Sequence, residues 1–189
     1  MTKSEIIQKL EQRLIPQIYR HSIATGEMAE KLARLYHVDE QKAFLAGILH
    51  DCAKYTPKKE LLAYAKSHGI PIDTIQEKQP GLLHGAVASY IAKTEFDIDD
   101  EEILHAIEVH STGSKKMSLL DKILYVSDSA EPNRDYEGVE MIRNLIFNGE
   151  LDNALLEGMR IKLIYVIEKK VMLHPDSINA WNEIVSSLK

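Results

Sequence analysis

Histidine and aspartate recur in this chain where they can act as a set: His21, the adjacent pair His50 and Asp51, then His84, His110 and Asp128. Imidazole nitrogen and carboxylate oxygen are the donors that Zn, Fe, Mn or Ni accept without any thiolate. A metal bound by such donors activates water and neutralises a neighbouring anion, so the chemistry in prospect is hydrolytic. Each of these side chains falls on the apolar stripe of its own helical segment or, for His50, beside it, where an unpaired charge or imidazole costs several kcal/mol, so partners are required. A shared cation satisfies them together.

The elements that must position them are helices. Strand signals are nearly absent, and the chain is expected to be all-α, with segments near 3–14, 16–36, 40–53, 57–67, 84–94, 100–110, 118–129, 138–147, 151–172 and 177–187. Ile18, His21, Met28, Leu32 and Leu35 share one stripe, and Phe44, Gly47, Ile48 and Asp51 a second, with His50 beside it. His84 leads Val87, Ala88 and Ile91; His110 closes Ile103, Ala106 and Ile107; Asp128 follows Asp121, Leu124 and Tyr125. Expected caps are Thr56 before Pro57, Asp99 with Glu102, and Ser118 with Asp121. Residues 70–81 and 129–138 read as loops. His105, flanked by Glu101, Glu102 and Glu108, reads as a solvated residue, and His37, His68 and His174 are assigned to no site. Cys52 reads as a small packing residue rather than a nucleophile.

The order His21, then His50-Asp51, then Asp128 resembles the H…HD…D signature of HD-domain phosphohydrolases. The segments RHSIATGEMAEKLA, HDCAK, GLLHGAVASYIA, VHSTG and ILYVSDSAEPNRDYEGV together resemble the YqeK family, over about residues 5–185. One departure is Ser127, where that pattern leads one to expect alanine. The resemblance implies an HD-domain helical bundle with a metal site in its core. It implies symmetrical hydrolysis of diadenosine tetraphosphate to two ADP, with iron as cofactor, one or two ions, in a site that other divalent first-row metals also fit. His21, His50, Asp51 and Asp128 then hold the first metal. His84 and His110 either bind a second, with Asp51 bridging, or hydrogen-bond the substrate phosphate; the resemblance favours two metals and hydroxide attack on phosphorus. Asp51, Lys54, His84 and His110 are the catalytic candidates.

Basic and hydroxyl groups near these positions complete a phosphate site. Arg20 precedes the first ligand, Lys54 lies three residues beyond Asp51, and Arg134 sits in the loop after Asp128, where a guanidinium can clasp two oxygens at once. Ser111 and Thr112, just past His110, offer hydroxyls. Helix N-terminal N–H groups beside His84 face any anion bound there. The base is expected between the loops at 70–83 and 129–138. Rival readings are an HD-type nucleotide triphosphohydrolase, a phosphodiesterase for a signalling nucleotide, or a non-catalytic nucleotide-binding module.

Bulk properties exclude other classes. The 189 residues carry 23 basic and 29 acidic groups, net −6, which argues against a protein that grips nucleic acid along a phosphate track. The charged N-terminus has no signal-peptide core, no run approaches the roughly 20 apolar residues of a membrane span, and a single cysteine leaves no disulfide framework. A cytoplasmic protein of one HD-type domain (core about 16–130, with C-terminal helices 138–187 packed on it) is expected, with a small nucleotide as its partner. An apolar stripe between Leu151 and Met172 is a candidate homodimer surface.

Overall fold

Helical periodicity is realised along nearly the whole chain in the computed structural model, which describes residues 1–188. The elements are α1 (Lys3–Arg13), α2 (Pro16–Leu35), α3 (Glu40–Leu49), α4 (Lys58–Ser67), α5 (Thr74–Lys78), α6 (His84–Glu95), α7 (Glu101–Val109), α8 (Leu119–Ala130), α9 (Val139–Phe147), α10 (Leu151–Glu168) and α11 (Pro175–Ser187). A 3-10 turn at Pro80–Leu83 leads into α6, and no strand occurs among the described residues.

Ser118 caps α8, and its hydroxyl and the Asp121 carboxylate form the expected reciprocal box. Elsewhere the caps differ from expectation. Asp100, not Asp99, starts α7 by accepting from the N–H groups of Glu102 and Ile103. Pro57 itself takes the cap position of α4, and no side-chain bond from Thr56 forms. Inside the expected loop at 70–81, Asp73 and Gln76 build a capping box that nucleates the short α5. The third helix ends at Leu49 rather than 53, because the His50 side chain takes the Gly47 carbonyl and the chain turns away. The tenth stops at Glu168 rather than 172, where Lys170 adopts a left-handed φ of 54°.

Two close helix approaches place the histidines. Where α2 meets α3, a Cβ added to Gly47 would lie 2.6 Å from the Gly26 Cα, so only paired glycines allow this contact. That approach sits one turn from His50 and little more than one from His21. Where α6 meets α7, a Cβ on Gly85 would lie 2.5 Å from the Glu108 carbonyl oxygen, beside His84 and just before His110. Both helix pairs close around α8, which packs on α2, α3, α7 and α10 and is buried from Leu120 to Ala130 except at Lys122. Ile48, Leu49, Ile107, Ile123 and Leu124 are fully buried, each contributing about 1.5–3 kcal/mol of transfer free energy. One apolar cluster runs from Ile6 in α1 to Ile184 in α11, so the C-terminal helices share the core with those that carry the histidines. No helix is long and apolar enough to cross a membrane.

His105 is exposed, as its acidic neighbours suggest, but its ring is tethered, with Nδ1 3.1 Å from Asp121, a carboxylate that also closes the α8 cap. The hydrogen bond to Asp121 raises the His105 pKa above 6.5, outweighing burial. A folded pKa above the unfolded one means the pair stabilises fully below the unfolded value and loses that contribution as pH rises through the folded value. The melting-temperature deficit of His105→Asn is therefore expected to be larger near about pH 6 than near about pH 9, by a few degrees at most for a pair this exposed. Equal deficits at both would show that the pair carries no charge-dependent stability.

Candidate metal centre

The six expected ligands converge. His50 and His110 occupy the first position beyond the ends of α3 and α7, and each donates Nδ1–H to the carbonyl three residues back, Gly47 and Ile107, at 2.7 Å. His84 does the same to Gly81 at 2.6 Å. His21, in mid-helix, points Nδ1 at the Glu131 carboxylate, 3.1 Å away. With every Nδ1 spoken for, each ring turns its Nε2 to the centre, where it offers a lone pair once the ring is neutral.

The Nε2 atoms meet in two pairs. His21 Nε2 lies 3.2 Å from His50 Nε2, and His84 Nε2 lies 3.0 Å from His110 Nε2. Asp51 is 2% exposed and lies between the two pairs. Its Oδ2 is 3.7 Å from His21 Nε2 and 3.5 Å from His50 Nε2. Its Oδ1 is 3.4 Å from His84 Nε2 and 3.5 Å from His110 Nε2, and has no hydrogen-bond partner. Asp128 Oδ1 adds a second carboxylate to the first pair, 3.1 Å from His21 Nε2. Ligand atoms of His21, His50 and Asp51 form one compact group and those of Asp51, His84 and His110 another, within 4.8 Å in each. Facing lone pairs and an orphaned buried carboxylate oxygen are what a divalent cation satisfies, and nitrogen with oxygen suits a borderline transition metal.

The electrostatics agree. Burial disfavours charge on Asp51, yet His50, His110 and Lys54 hold its carboxyl well below the usual range; Lys162 and the histidines do the same for Asp128. Burial likewise opposes charge on His50, but Asp51 and Asp128 lift it to about 9. His84 goes the other way, driven to about 3 by burial and by the Lys54 ammonium. The chain's own cations lean into this anionic core. Lys54 Nζ donates to His84 Nε2 at 3.2 Å, and Arg134 Nη2 donates to Asp128 Oδ1 at 2.8 Å.

Of the other expected residues, Arg20 lines a cavity of about 630 Å³ over His21 and Asp51 and makes no bond to the cluster. Ser111 and Thr112 face a separate cavity beside His110, with the Thr112 hydroxyl donating to the Gly113 carbonyl. The N–H of His84 is already bonded to the Gly81 carbonyl, so the 3-10 turn removes part of the anion-facing N-terminus expected there. Asp121, on the same stripe as Asp128, serves the α8 cap and His105 instead of the cluster. Cys52 is buried, with its thiol pushed up to about 12 by burial, which suits packing and not nucleophilic attack. Ser127 is fully buried with a hydroxyl that finds no partner, so the departure from alanine leaves Asp128 in place.

Two residues of the centre were not anticipated. Glu131, 2% exposed, holds His21 and also accepts from the Asn133 N–H at 2.6 Å. Its signal was its place three residues after Asp128, one turn on. Lys162 of α10 reaches 3.3 Å from Asp128 Oδ2 and stacks 4.1 Å over the Tyr125 ring. Nothing in its local sequence marks it.

Paired histidines around a shared aspartate, presented by crossed helices, define a metal-binding helical protein of the HD type. Residues 18–133 match the HD domain family. The chain is 32% identical over 186 residues to a protein of Bacillus subtilis (strain 168) named symmetrical bis(5'-nucleosyl)-tetraphosphatase, spanning 98% of this chain and 99% of that one. It is 33% identical to the protein of the same name from Halalkalibacterium halodurans, over 100% of both. A crystal structure from Clostridium acetobutylicum, described as a predicted HD superfamily hydrolase involved in NAD metabolism, superposes with a TM-score of 0.94 at 35% identity, covering 99% of this chain and 98% of that one. The chain belongs to the HD domain family and, within it, to the YqeK family.

Proposed function

We propose that this protein is a metal-dependent hydrolase that cleaves dinucleoside tetraphosphates symmetrically, diadenosine tetraphosphate giving two ADP. The observation that carries the reading is Asp51, whose two oxygens each face one histidine pair while Lys54 and Arg134 stand at the mouth. End-to-end similarity to relatives named for that activity supports it.

His21, His50, Asp51 and Asp128 would hold one ion and Asp51, His84 and His110 a second, with iron the metal we favour from the nitrogen and oxygen donor set and the family resemblance. When bound, such an ion lowers the pKa of coordinated water to about 7 and neutralises charge on the phosphoryl group. The chain's residues do the rest. Glu131 and the Gly47, Gly81 and Ile107 carbonyls fix the imidazole tautomers, so the ligating nitrogens need no reorganisation. Lys54 and Arg134 exchange their contacts within the cluster for the substrate's anionic oxygens, and Arg20 meets the phosphates further out in the cavity. Water adds across the central anhydride. Its oxygen ends on one inner phosphorus, the bridging oxygen leaves with the other nucleoside diphosphate, and both protons of the water are released as the two new terminal phosphates ionise. Ser111 and Thr112 offer hydroxyls to the nucleotide beyond His110. We read the chain as one HD-type domain whose C-terminal helices belong to the catalytic unit, and as a cytoplasmic enzyme of small nucleotides.

Anaerobic purification, elemental analysis and product identification test this. Two equal nucleoside diphosphates from one dinucleotide, in a protein holding iron or another divalent metal, are the expected result. Release of tripolyphosphate from a nucleoside triphosphate, or of a linear dinucleotide from a cyclic one, with the dinucleoside tetraphosphate left intact, would overturn it.

A further inference from the structure

Two unlike cavities meet at the cluster, and Lys54 and Arg134 line both. The first, about 630 Å³, is the more polar, with Gln17, Arg20, Tyr55 and Asn133 around it. The second, about 290 Å³, begins at His110, Asp128 and Lys162 and continues between Leu82, Met159, Leu163, Tyr165, Val166 and Leu173. It is cationic at its inner end and apolar beyond. That gradient suits a nucleotide, whose phosphates and base make opposite demands, and the volume lies near the small end of ligand pockets, at about 300–1,000 Å³.

The outer wall of this second cavity is tied in place. Residues 169–174 follow α10 as a strap, with a turn at Lys169 and Lys170 and then four residues, 171–174, outside any helix. The Gln79 side chain clasps the strap in both directions, donating to the Met172 carbonyl and accepting from the Met172 N–H, each at 3.0 Å. His174, 8% exposed, donates Nε2–H to Asp73 Oδ2 at 2.7 Å while its Nδ1 accepts from the Asp176 N–H. Asp73 Oδ1 is meanwhile occupied by the α5 N–H groups. Gln79 lies two residues from Gly81, whose carbonyl orients His84. The same clasp thus fixes the pocket wall and adjoins the turn that aims a metal ligand. In the first cavity the one aromatic lining residue, Tyr55, is 57% exposed.

Resting on the dinucleotide reading above, we propose that the cavity between α8, α10 and the 169–174 strap is the single nucleoside pocket, and that the other half of the substrate is held through its phosphates alone. Lys162 meets the phosphate next to the bound nucleoside, and Lys54 and Arg134 meet the central pair. A symmetrical substrate is therefore bound asymmetrically. The base lies against the C-terminal helix and strap rather than between the loops at 70–83 and 129–138; of those loops, Leu82 and Arg134 alone line the pocket.

The test compares diadenosine tetraphosphate with adenosine 5'-tetraphosphate, which lacks the second nucleoside, on the metal-loaded full-length protein, together with calorimetric binding of ADP. Both substrates are expected to be cleaved, with KM values within about fivefold of each other. Val166→Trp, at a partly exposed position of α10, fills the pocket and is expected to raise both KM values and the ADP dissociation constant by about tenfold, with kcat within about twofold. Tyr55→Ala is expected to change neither KM by more than about twofold. A Tyr55→Ala protein that loses affinity for the dinucleotide but keeps it for adenosine tetraphosphate would overturn the single-pocket inference and leave the hydrolase reading standing. So would unchanged ADP binding in Val166→Trp. If ADP binding falls in Val166→Trp but the metal-loaded protein never cleaves the dinucleotide, the pocket stands and the proposed activity falls.

Discussion

Asp51→Ala is expected to empty both halves of the metal centre at once and to lower kcat/KM for the dinucleotide by at least about a thousandfold. Metal catalysis of this kind supplies several kcal/mol, and each 1.36 kcal/mol is about a factor of ten in rate. The size follows from the position of the carboxylate, whose Oδ2 faces His21 and His50 and whose Oδ1 faces His84 and His110, all within 3.7 Å. Without it, the second group retains only two imidazoles. Stability of the metal-free protein should fall as well, because buried His50 and the adjacent Lys54 lose the carboxylate that offsets their charge. Stability with metal should fall further, since an ion bound only by the native state stabilises it by RT ln(1 + [L]/Kd), a gain the variant loses. Wild type thus melts higher with metal than without, and the variant should show no such gap. Elemental analysis, melting with and without metal, and single-substrate kinetics check the three statements separately. If the variant lost its metal while turnover persisted, the cluster would not be the reaction centre.

The sequence made Asp51 legible because burial and polarity conflict there. A charged residue on an apolar stripe is a local contradiction, and six such contradictions at helical spacing need only the period of the helix to be seen. The helices were legible for the same reason, and the paired glycines are part of that pattern in hindsight: Gly47 shares the stripe of Asp51, and Gly85 follows His84 directly. What stayed hidden depends on relations between segments. Asp73 and His174 are about a hundred residues apart in the chain, so neither signals the latch they make. Lys162 looks like any charge on a long helix until α10 lies against α8 and brings its ammonium to Asp128. The end of α3 was misplaced because periodicity continues through Asp51, whereas the chain leaves the helix once the His50 ring takes the Gly47 carbonyl. That early termination has a consequence for chemistry. A histidine at a helix end is oriented by main-chain carbonyls, which no side-chain substitution removes directly.

His21 is the exception, because it lies inside α2 and its helix has no free carbonyl to offer its ring. Glu131 takes that role, and it is the ligand-orienting group most open to mutation. Glu131→Ala is expected to weaken metal affinity and to lower kcat/KM by about ten- to a hundredfold, the usual cost of losing a carboxylate behind a metal-bound histidine. Glu131→Gln keeps an oxygen acceptor for Nδ1–H but loses the negative charge, so it should recover part of the loss and fall between alanine and wild type. Glu131 also accepts from the Asn133 N–H and lies 3.9 Å from Arg134 Nε, so part of the effect in alanine arises from a loosened 131–134 turn. Asn133→Pro, which removes that N–H and the Asn133 Nδ2 donor to the same oxygen while keeping the carboxylate, separates the two contributions. If orientation of His21 dominates, Asn133→Pro raises KM with metal content unchanged, whereas Glu131→Ala loses metal. Equal metal content in Glu131→Ala and wild type would sink the orienting role.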